Sequence, residues 1–289
     1  MARSYLWCCG CLIVLVSVCL SQWPTLYAYA ADDERQEPLK ISWHNNLLTI
    51  RGHFPGEVIT VNYLEAYCRP GSTDRDWQET VIGHHTELVA SGADQRSLHL
   101  KCTLRDGVQV EHVITASNDE VDFRLKATNP TTHDSQAHWA QPCIRVDRFT
   151  NTAPRTYDYL GRCFVYIDGQ LSRMPTKDWN TRARYTPGQV WVPKHVPRDD
   201  VNPRPVNPHA PSLGLIGCFS QDERWVMATA FEPYQELFQG VITCLHADFR
   251  LGGLKAGETK HVRGKIYIMP ADIDRLLSRY RQDFPEHFH

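Results

Sequence analysis

The sequence has no large excess of charge of either sign, since 31 basic and 33 acidic residues among 289 give a formal net charge of −2. Proteins that bind nucleic acids usually carry a basic stripe that neutralises phosphates, so this balance argues against a nucleic-acid partner. The 17 glycines and 18 prolines exclude a collagen-like chain, and 42% hydrophobic residues exclude a disordered one. The composition predicts a globular protein with a sizeable core.

The familiar catalytic motifs are missing from the sequence. There is no GxSxG, no HExxH, no P-loop, and no GxGxxG after a strand-like run. Their absence removes the commonest hydrolase, metalloprotease and nucleotide-binding interpretations. Among the six cysteines after residue 30, no CxxC or Cys/His spacing indicates zinc, so we expect no metal site and no cofactor. No internal repeat of fixed period is present.

The N-terminus resembles a signal peptide. Arg3 is the only charged residue before an apolar run at Tyr5–Leu20, and Ala28–Ala30 has the small-x-small pattern of a cleavage site. The run is shorter than the roughly 20 residues that a spanning helix needs. We therefore predict a signal peptide over 1–30, a mature chain from Ala31, and a secreted or periplasmic protein without a stable membrane span. An uncleaved N-terminal anchor is the alternative.

Six cysteines remain after such a cleavage. An oxidising compartment permits disulfides, but six cysteines allow about 15 pairings, and most of them lie in apolar strand-like runs where buried free thiols are equally expected. The pairing therefore stays open for Cys68, Cys102, Cys143, Cys163, Cys218 and Cys244.

Alternation of apolar and polar residues predicts antiparallel strands. Leu98–Leu104, Val108–Glu111 and Val121–Ala127 each place apolar side chains on one face, with Asp106-Gly107 and Asn118-Asp119 at the turns between them. Similar runs occur at Leu47–Arg51, Val58–Cys68, Thr80–Val89, Cys143–Val146, Cys163–Ile167, Leu213–Phe219, Trp225–Phe231, Val241–Phe249 and Lys260–Met269.

The C-terminus has the pattern of a helix. Pro270 suits a first helical turn, and helical spacing relates Ile273, Leu276, Leu277, Tyr280 and Phe284. The sequence thus predicts an all-β fold, a large antiparallel β-sandwich with one C-terminal helix, as a single domain over 31–289.

Residues 172–211 interrupt the strand pattern with eight prolines. Proline cannot occupy a central strand because it lacks the amide donor. The segment also contains Trp179, Tyr185 and Trp191, which a solvated linker would not need. We expect an ordered excursion over one face of the sheet that covers part of a binding cleft; a linker is the alternative.

Two segments carry candidate site residues. In the first, His138 and Trp139 precede a strand that contains Arg145. Histidine exchanges protons near neutral pH, Trp offers a flat apolar face, and Arg can clamp a carboxylate or a hydroxyl pair. The alternative for His138 is a histidine that only bonds backbone.

The second segment follows the apolar run Trp225–Phe231. Glu232 should stand at the end of that strand, with Tyr234 and Gln235 nearby. A carboxylate beside aromatic rings has a reason to titrate abnormally and to act as a base. An ordinary surface glutamate in a proline-containing turn is the alternative.

The order of these features resembles that of galactose-mutarotase-like supersandwich proteins. The resemblance rests on His138-Trp139 after Asn129, Glu232-Pro-Tyr-Gln235, and Leu254-Lys-Ala-Gly-Glu258 before the last strand. It implies a sugar-binding cleft on one sheet, with His138 as the acid and Glu232 as the base. For a second catalytic histidine, the candidates are His84, His85 and His246.

Three functions remain open at this point. We predict an exported carbohydrate-binding sandwich, with Trp139, Trp179 and Trp191 as stacking platforms and Arg145 and Gln235 as hydrogen-bonding groups. The first alternative is a cofactor-independent sugar isomerase that uses His138 and Glu232. The second is a structural envelope protein whose aromatic residues belong to the core. The sequence leaves open the saccharide, enzymatic activity and the oligomeric state.

Overall fold

The computed structural model describes Met1 and residues 37–288. Apart from Met1, the predicted signal peptide and its cleavage site lie outside the described residues. The strands are β1 (Lys40–His44), β2 (Leu47–Arg51), β3 (Val58–Cys68), β4 (Val81–Ile82), β5 (His84–Ser91), β6 (Ser97–Leu104), β7 (Gln109–Ala116), β8 (Glu120–Thr128), β9 (Trp139–Arg145), β10 (Cys163–Ile167), β11 (Gln170–Arg173), β12 (Gln189–Trp191), β13 (Leu215–Phe219), β14 (Trp225–Glu232), β15 (Tyr234–Gln239), β16 (Cys244–Arg250) and β17 (Thr259–Pro270). The helices are α1 (Trp77–Thr80), α2 (Asp147–Thr150) and α3 (Ile273–Asp283), with 3₁₀ turns at Leu160–Arg162 and Pro285–Phe288.

These strands form two antiparallel sheets. The first sheet has the order β1-β2-β3-β9-β16-β15-β12, with β4 paired to β3, and contains eight strands. The second has nine strands in the order β11-β10-β13-β14-β17-β8-β7-β6-β5. Together with α3, they confirm the predicted antiparallel β-sandwich with one C-terminal helix.

The meander β6–β8 forms as its alternation predicts. Buried and accessible residues alternate along β7 and β8, and Val110 pairs with Ala127 while Ile114 pairs with Phe123. The turn before β7 depends on Gly107, whose φ of +93° is readily reached by glycine. The apolar face of this meander is directed at the other sheet.

The core lies between the two sheets, and a row of aromatic rings crosses it. The Phe231 ring on β14 lies 5.5 Å from Phe123 on β8 and 5.5 Å from Phe249 on β16, between ring centroids. All three side chains are buried. Burying each phenyl ring contributes about 1.5–3 kcal/mol to folding, so this row stabilises the contact between the sheets.

Helix α3 packs on the far side of the second sheet. Leu276 and Tyr280 are buried against a cluster that includes Tyr267 and Met269 of β17. The helix begins after Asp272, whose side chain accepts a hydrogen bond from the Arg275 amide at 2.9 Å. Pro270 ends β17 instead of opening the helix. No helix among the residues described has the length and apolar character to cross a bilayer.

The first sheet is covered on both faces. Ile144, Leu245 and Phe249 point into the core, whereas Val190, Val201 and Phe238 form a separate apolar cluster on the opposite face, which we call the outer face. The covering comes from residues 172–211, hereafter the proline-rich segment. This segment contains β12, which pairs with β15 at the sheet edge. Strands β9 and β16 are therefore buried on both sides.

Candidate functional site

A cavity of about 360 Å³ lies on the outer face of the first sheet. Residues from the sheet, from α1 and from the proline-rich segment surround it. Its lining consists of Glu65, Trp77, Gln141, Tyr185, Asn202, Pro203, Arg204, Phe238, Gly240, Val241, Ile242, Cys244 and His246. The sandwich thus presents polar strand residues to a partly enclosed space.

Aromatic and cationic side chains form the walls of this cavity. Trp77 and Tyr185 are half-buried, and Phe238 is buried on β15. The Arg204 guanidinium carbon lies 5.3 Å from the centre of the Tyr185 ring, within the range of a cation–π contact. Burial lowers the pKa of Arg204. The walls therefore combine flat apolar surfaces with a hydrogen-bond donor.

Alternate residues of β9 and β16 form the floor. Gln141, Cys244 and His246 line the cavity because the residues between them turn inward to the core. His246 Nε2 lies 3.2 Å from the Cys244 sulfur. Cys143 lies beside them, so that the two sulfur atoms and the imidazole nitrogen are all within 4.8 Å of one another.

Two buried carboxyl groups extend the floor toward β15. Glu236 and Asp248 pair directly across β15 and β16, and both are fully buried. Burial raises the pKa of Glu236 well above its usual value, and the Asp248 carboxylate raises it further, although the Asn202 amide opposes this shift. Burial likewise raises the pKa of Asp248 to about 6.

Asp200 holds a second polar cluster next to this cavity. Its Oδ2 lies 3.2 Å from His138 Nδ1 and 3.2 Å from an Arg250 amino group. Its Oδ1 accepts the Gly71 amide at 3.2 Å, and its backbone carbonyl accepts the Gln235 side-chain amide. Arg250 also donates to Gln235 Oε1 at 2.6 Å. The structure thus brings together two of the predicted residues, His138 and Gln235.

The same region fixes the proline-rich segment to the loop after β3. Ser72 Oγ donates to the Val201 carbonyl at 3.0 Å, and Thr73 Oγ1 donates to it at 3.1 Å. Arg184 forms an ion pair with Asp76, directly before α1. These contacts attach the segment that carries Tyr185 and Arg204 to the chain before α1, which carries Trp77, and all three residues line the cavity.

Trp139 and Arg145 lie on the outer face but outside the cavity lining. The Trp139 ring is fully buried 6.4 Å from Trp77, and its indole donates to Ser72 Oγ at 3.2 Å. Arg145 donates to the Ile242 carbonyl at 3.3 Å. Both residues support lining groups, Trp77 and Ile242, rather than contacting the space themselves.

The other two predicted stacking residues are packed elsewhere. Trp191 is fully buried in the core, and Trp179 packs against it with ring centroids 6.0 Å apart. Neither ring lines the cavity. Tyr185, from the same segment, supplies an aromatic wall instead.

Glu232 is engaged away from His138. Its Oε2 lies 2.8 Å from His287 Nε2, and the His287 ring meets Tyr280 of α3 through its other nitrogen. It lines a different cavity, of about 470 Å³, together with His195 and Tyr234. Across residues 37–288 the structure shows no contact between Glu232 and His138. The predicted acid and base are therefore not brought together as a pair.

Among the candidates for a second histidine, His246 lies at the cavity floor. His84 lies on β5, the edge strand of the second sheet, and its ring is 5.2 Å from the Tyr67 ring of β3. The exposed His85 lies 3.7 Å from Glu87. The sequence did not single out Glu65, Trp77, Asp200, Arg204 or Arg250. Only the aromatic content of the proline-rich segment signalled that this segment would help to form the site.

Comparisons with known proteins show similarity in structure alone. No family model matches the chain, and no curated protein matches its sequence. A galactose mutarotase-like protein from Clostridium acetobutylicum is 9% identical, with a TM-score of 0.45, covering 80% of this chain and 98% of its own. A galactose mutarotase-like protein from Lactobacillus casei is 7% identical, with a TM-score of 0.39, covering 80% of this chain and 99% of its own. A candidate aldose 1-epimerase from Escherichia coli is 12% identical, with a TM-score of 0.42, covering 80% of this chain and 99% of its own. The strand pairing of this chain itself defines an antiparallel β-sandwich with one C-terminal helix.

Proposed function

We propose that this chain binds a saccharide in the cavity on the outer face of the first sheet. The cavity volume of about 360 Å³ falls within the range of small-molecule pockets, about 300–1,000 Å³. Sugars present both apolar C–H faces and many hydroxyl groups, so a sugar site needs flat apolar walls together with hydrogen-bonding groups. This cavity offers both.

The observation that carries the proposal is a set of polar atoms without protein partners. Gln141 Oε1 and Arg204 Nε are buried and have no hydrogen-bond partner among the residues described. An unsatisfied buried polar atom costs about 1–3 kcal/mol. A ligand hydroxyl group could donate to Gln141 and accept from Arg204, which would recover that cost on binding. Glu65 supplies a further acceptor at the rim.

The aromatic walls provide the complementary apolar contact. Trp77 lies on α1, Tyr185 in the proline-rich segment and Phe238 on β15, so rings from three separate elements border one space. Aromatic rings bury large apolar areas, and their faces suit the C–H surface of a pyranose. The arrangement supports binding more directly than it supports catalysis, because Glu232 and His138 are each engaged with other partners.

A glycan array with the full chain, followed by calorimetric titration of the best saccharide, tests this proposal. The variant Gln141→Leu keeps the side-chain size but removes the acceptor, so we expect affinity to fall about tenfold. The matched control is Gln109→Leu on the second sheet, which should bind as the original protein does. Failure to bind any saccharide would contradict the proposal and favour the structural envelope protein. Mutarotation of the bound sugar would favour the isomerase.

We also propose that the protein is exported. The support is the single N-terminal Arg3, the apolar run at Tyr5–Leu20 and the small-x-small pattern before Ala31.

A further inference from the structure

We propose that Cys143, Cys244 and His246 form a zinc site at the floor of the cavity. Their ligand atoms, two sulfurs and one imidazole nitrogen, all lie within 4.8 Å of one another, and all three residues are buried. Cys244 Sγ and His246 Nε2 are already 3.2 Å apart. Thiolate and imidazole are the ligands that Zn²⁺ prefers in proteins.

The spacing fits a tetrahedral ion after small side-chain movements. Zinc–sulfur bonds of about 2.3 Å and zinc–nitrogen bonds of about 2.0–2.1 Å place neighbouring ligand atoms about 3.5–3.8 Å apart. The ligands come from two neighbouring strands. Cys244 and His246 are alternate residues of β16 and share its outer face, while Cys143 comes from β9. The pairing Leu245–Ile144 fixes the register between these strands.

Asp248 provides the support that a zinc-bound histidine usually has. It is the next outer-face residue of β16, and its Oδ1 lies 3.6 Å from His246 Nδ1. A carboxylate at this nitrogen orients the imidazole so that the other nitrogen faces the metal. His246 Nδ1 and both Asp248 oxygens are otherwise without hydrogen-bond partners in the part of the chain that the structure describes. Asp248 is therefore a positioning residue for His246.

The fourth coordination position would face the cavity. Cys244 and His246 both line it, whereas Cys143 does not. A site with three protein ligands and one open position can accept a water molecule or an oxygen of a ligand. The zinc site does not depend on the proposed saccharide, because metal binding can be measured without any sugar.

The competing state of the same residues is a Cys143–Cys244 disulfide. In an oxidising compartment two adjacent thiols can form a bridge, and a bridge would remove both thiolates from the site. The zinc site and the disulfide use the same sulfur atoms and exclude each other, so measurements on one sample of the full chain can distinguish them.

The experiment measures zinc in the full chain by elemental analysis, after chelation and reloading with ZnCl₂, and records the spectrum after replacement by Co²⁺. We expect one zinc per chain and a thiolate-to-cobalt charge-transfer band with the ligand-field bands of a tetrahedral ion. Cys244→Ser and His246→Gln should lose both, whereas Cys163→Ser, which changes a buried thiol of the second sheet, should keep both. Asp248→Asn should keep the metal but weaken its affinity about 10–100-fold.

Either of two results would overturn the proposal. In the first, a peptide map of the non-reduced protein shows a Cys143–Cys244 disulfide, and the protein binds no zinc after this disulfide is reduced. The other is zinc content or a cobalt spectrum that Cys244→Ser leaves unchanged. If Cys244→Ser fails to fold, the cobalt spectrum of the original protein and the affinity of Asp248→Asn still decide. Loss of saccharide binding with zinc retained would contradict only the proposed function.

Discussion

Asp200 Oδ2 lies 3.2 Å from His138 Nδ1 and so joins the proline-rich segment to the residue that directly precedes β9. The Asp200 side chain is only 6% exposed, and His138 is 25% exposed. The same carboxylate binds Arg250 at the end of β16. A single residue thus connects the cover of the cavity to β16 and to the residue before β9.

Replacing Asp200 should therefore loosen the cover. We expect Asp200→Asn to lower the free energy of unfolding by about 1.5–3 kcal/mol, since it weakens hydrogen bonds to charged groups. Limited proteolysis should cut within 172–211 faster than in the original protein. The control is Asp199→Asn, because Asp199 is exposed and its side chain forms no hydrogen bond with any of residues 37–288. Rapid cutting throughout 172–211 in the unmodified protein would instead indicate a linker.

Acid should destabilise the fold through His112. This histidine is buried against Tyr63 and Tyr67, and burial lowers its pKa from 6.5 to about 3. Between these two pH values the unfolded chain binds a proton that the folded chain does not. The contribution of His112 to the free energy of unfolding is therefore complete above pH 6.5. Below that pH the free energy of unfolding falls by about 1.4 kcal/mol per pH unit.

Urea unfolding at several pH values measures this slope. His112→Gln should flatten the pH dependence, although its stability at neutral pH falls because the packing changes. His133→Gln, at an exposed position, should keep the slope of the original protein. An unchanged slope in His112→Gln would show that other groups cause the acid sensitivity.

Glu65 and Glu232 should differ in their effect on saccharide binding. Glu65 lines the cavity, whereas Glu232 pairs with His287 at another cavity. We expect Glu65→Gln to weaken binding by a factor of about 3–10, consistent with the loss of one hydrogen bond. Glu232→Gln should leave it unchanged in calorimetric titration. A large loss in Glu232→Gln would instead support the predicted role of this residue.

Export predicts a defined mature terminus. Cleavage after Ala30 would leave a chain that begins at Ala31. The intact mass of protein recovered from its native host measures this directly. A mature form that retains Met1 would contradict the prediction and support the uncleaved anchor.

The sequence predicts the sandwich well where one face of a strand is accessible. In β7 and β8, alternation alone identifies the strands, and in α3 the spacing of Leu276 and Tyr280 identifies the packed face. Local patterns suffice in these elements because each has one polar side.

The floor of the cavity could not be read in the same way. Strands β9 and β16 are buried on both faces. His246 and Asp248 nevertheless alternate with apolar residues along β16, as they would on a strand with one solvated face. Cys143 joins them through strand pairing and not through sequence spacing, which is why no zinc pattern was visible. Asp200 lies in a segment without regular structure, and its partners follow only from the tertiary fold.

A crystal structure of the full chain with the saccharide selected by the glycan array would locate the binding site. We expect a sugar ring between Trp77 and Tyr185, with hydroxyl groups bonded to Gln141 Oε1 and Arg204 Nε. A sugar bound instead beside Glu232 and His287, with the outer-face cavity containing only solvent, would contradict it.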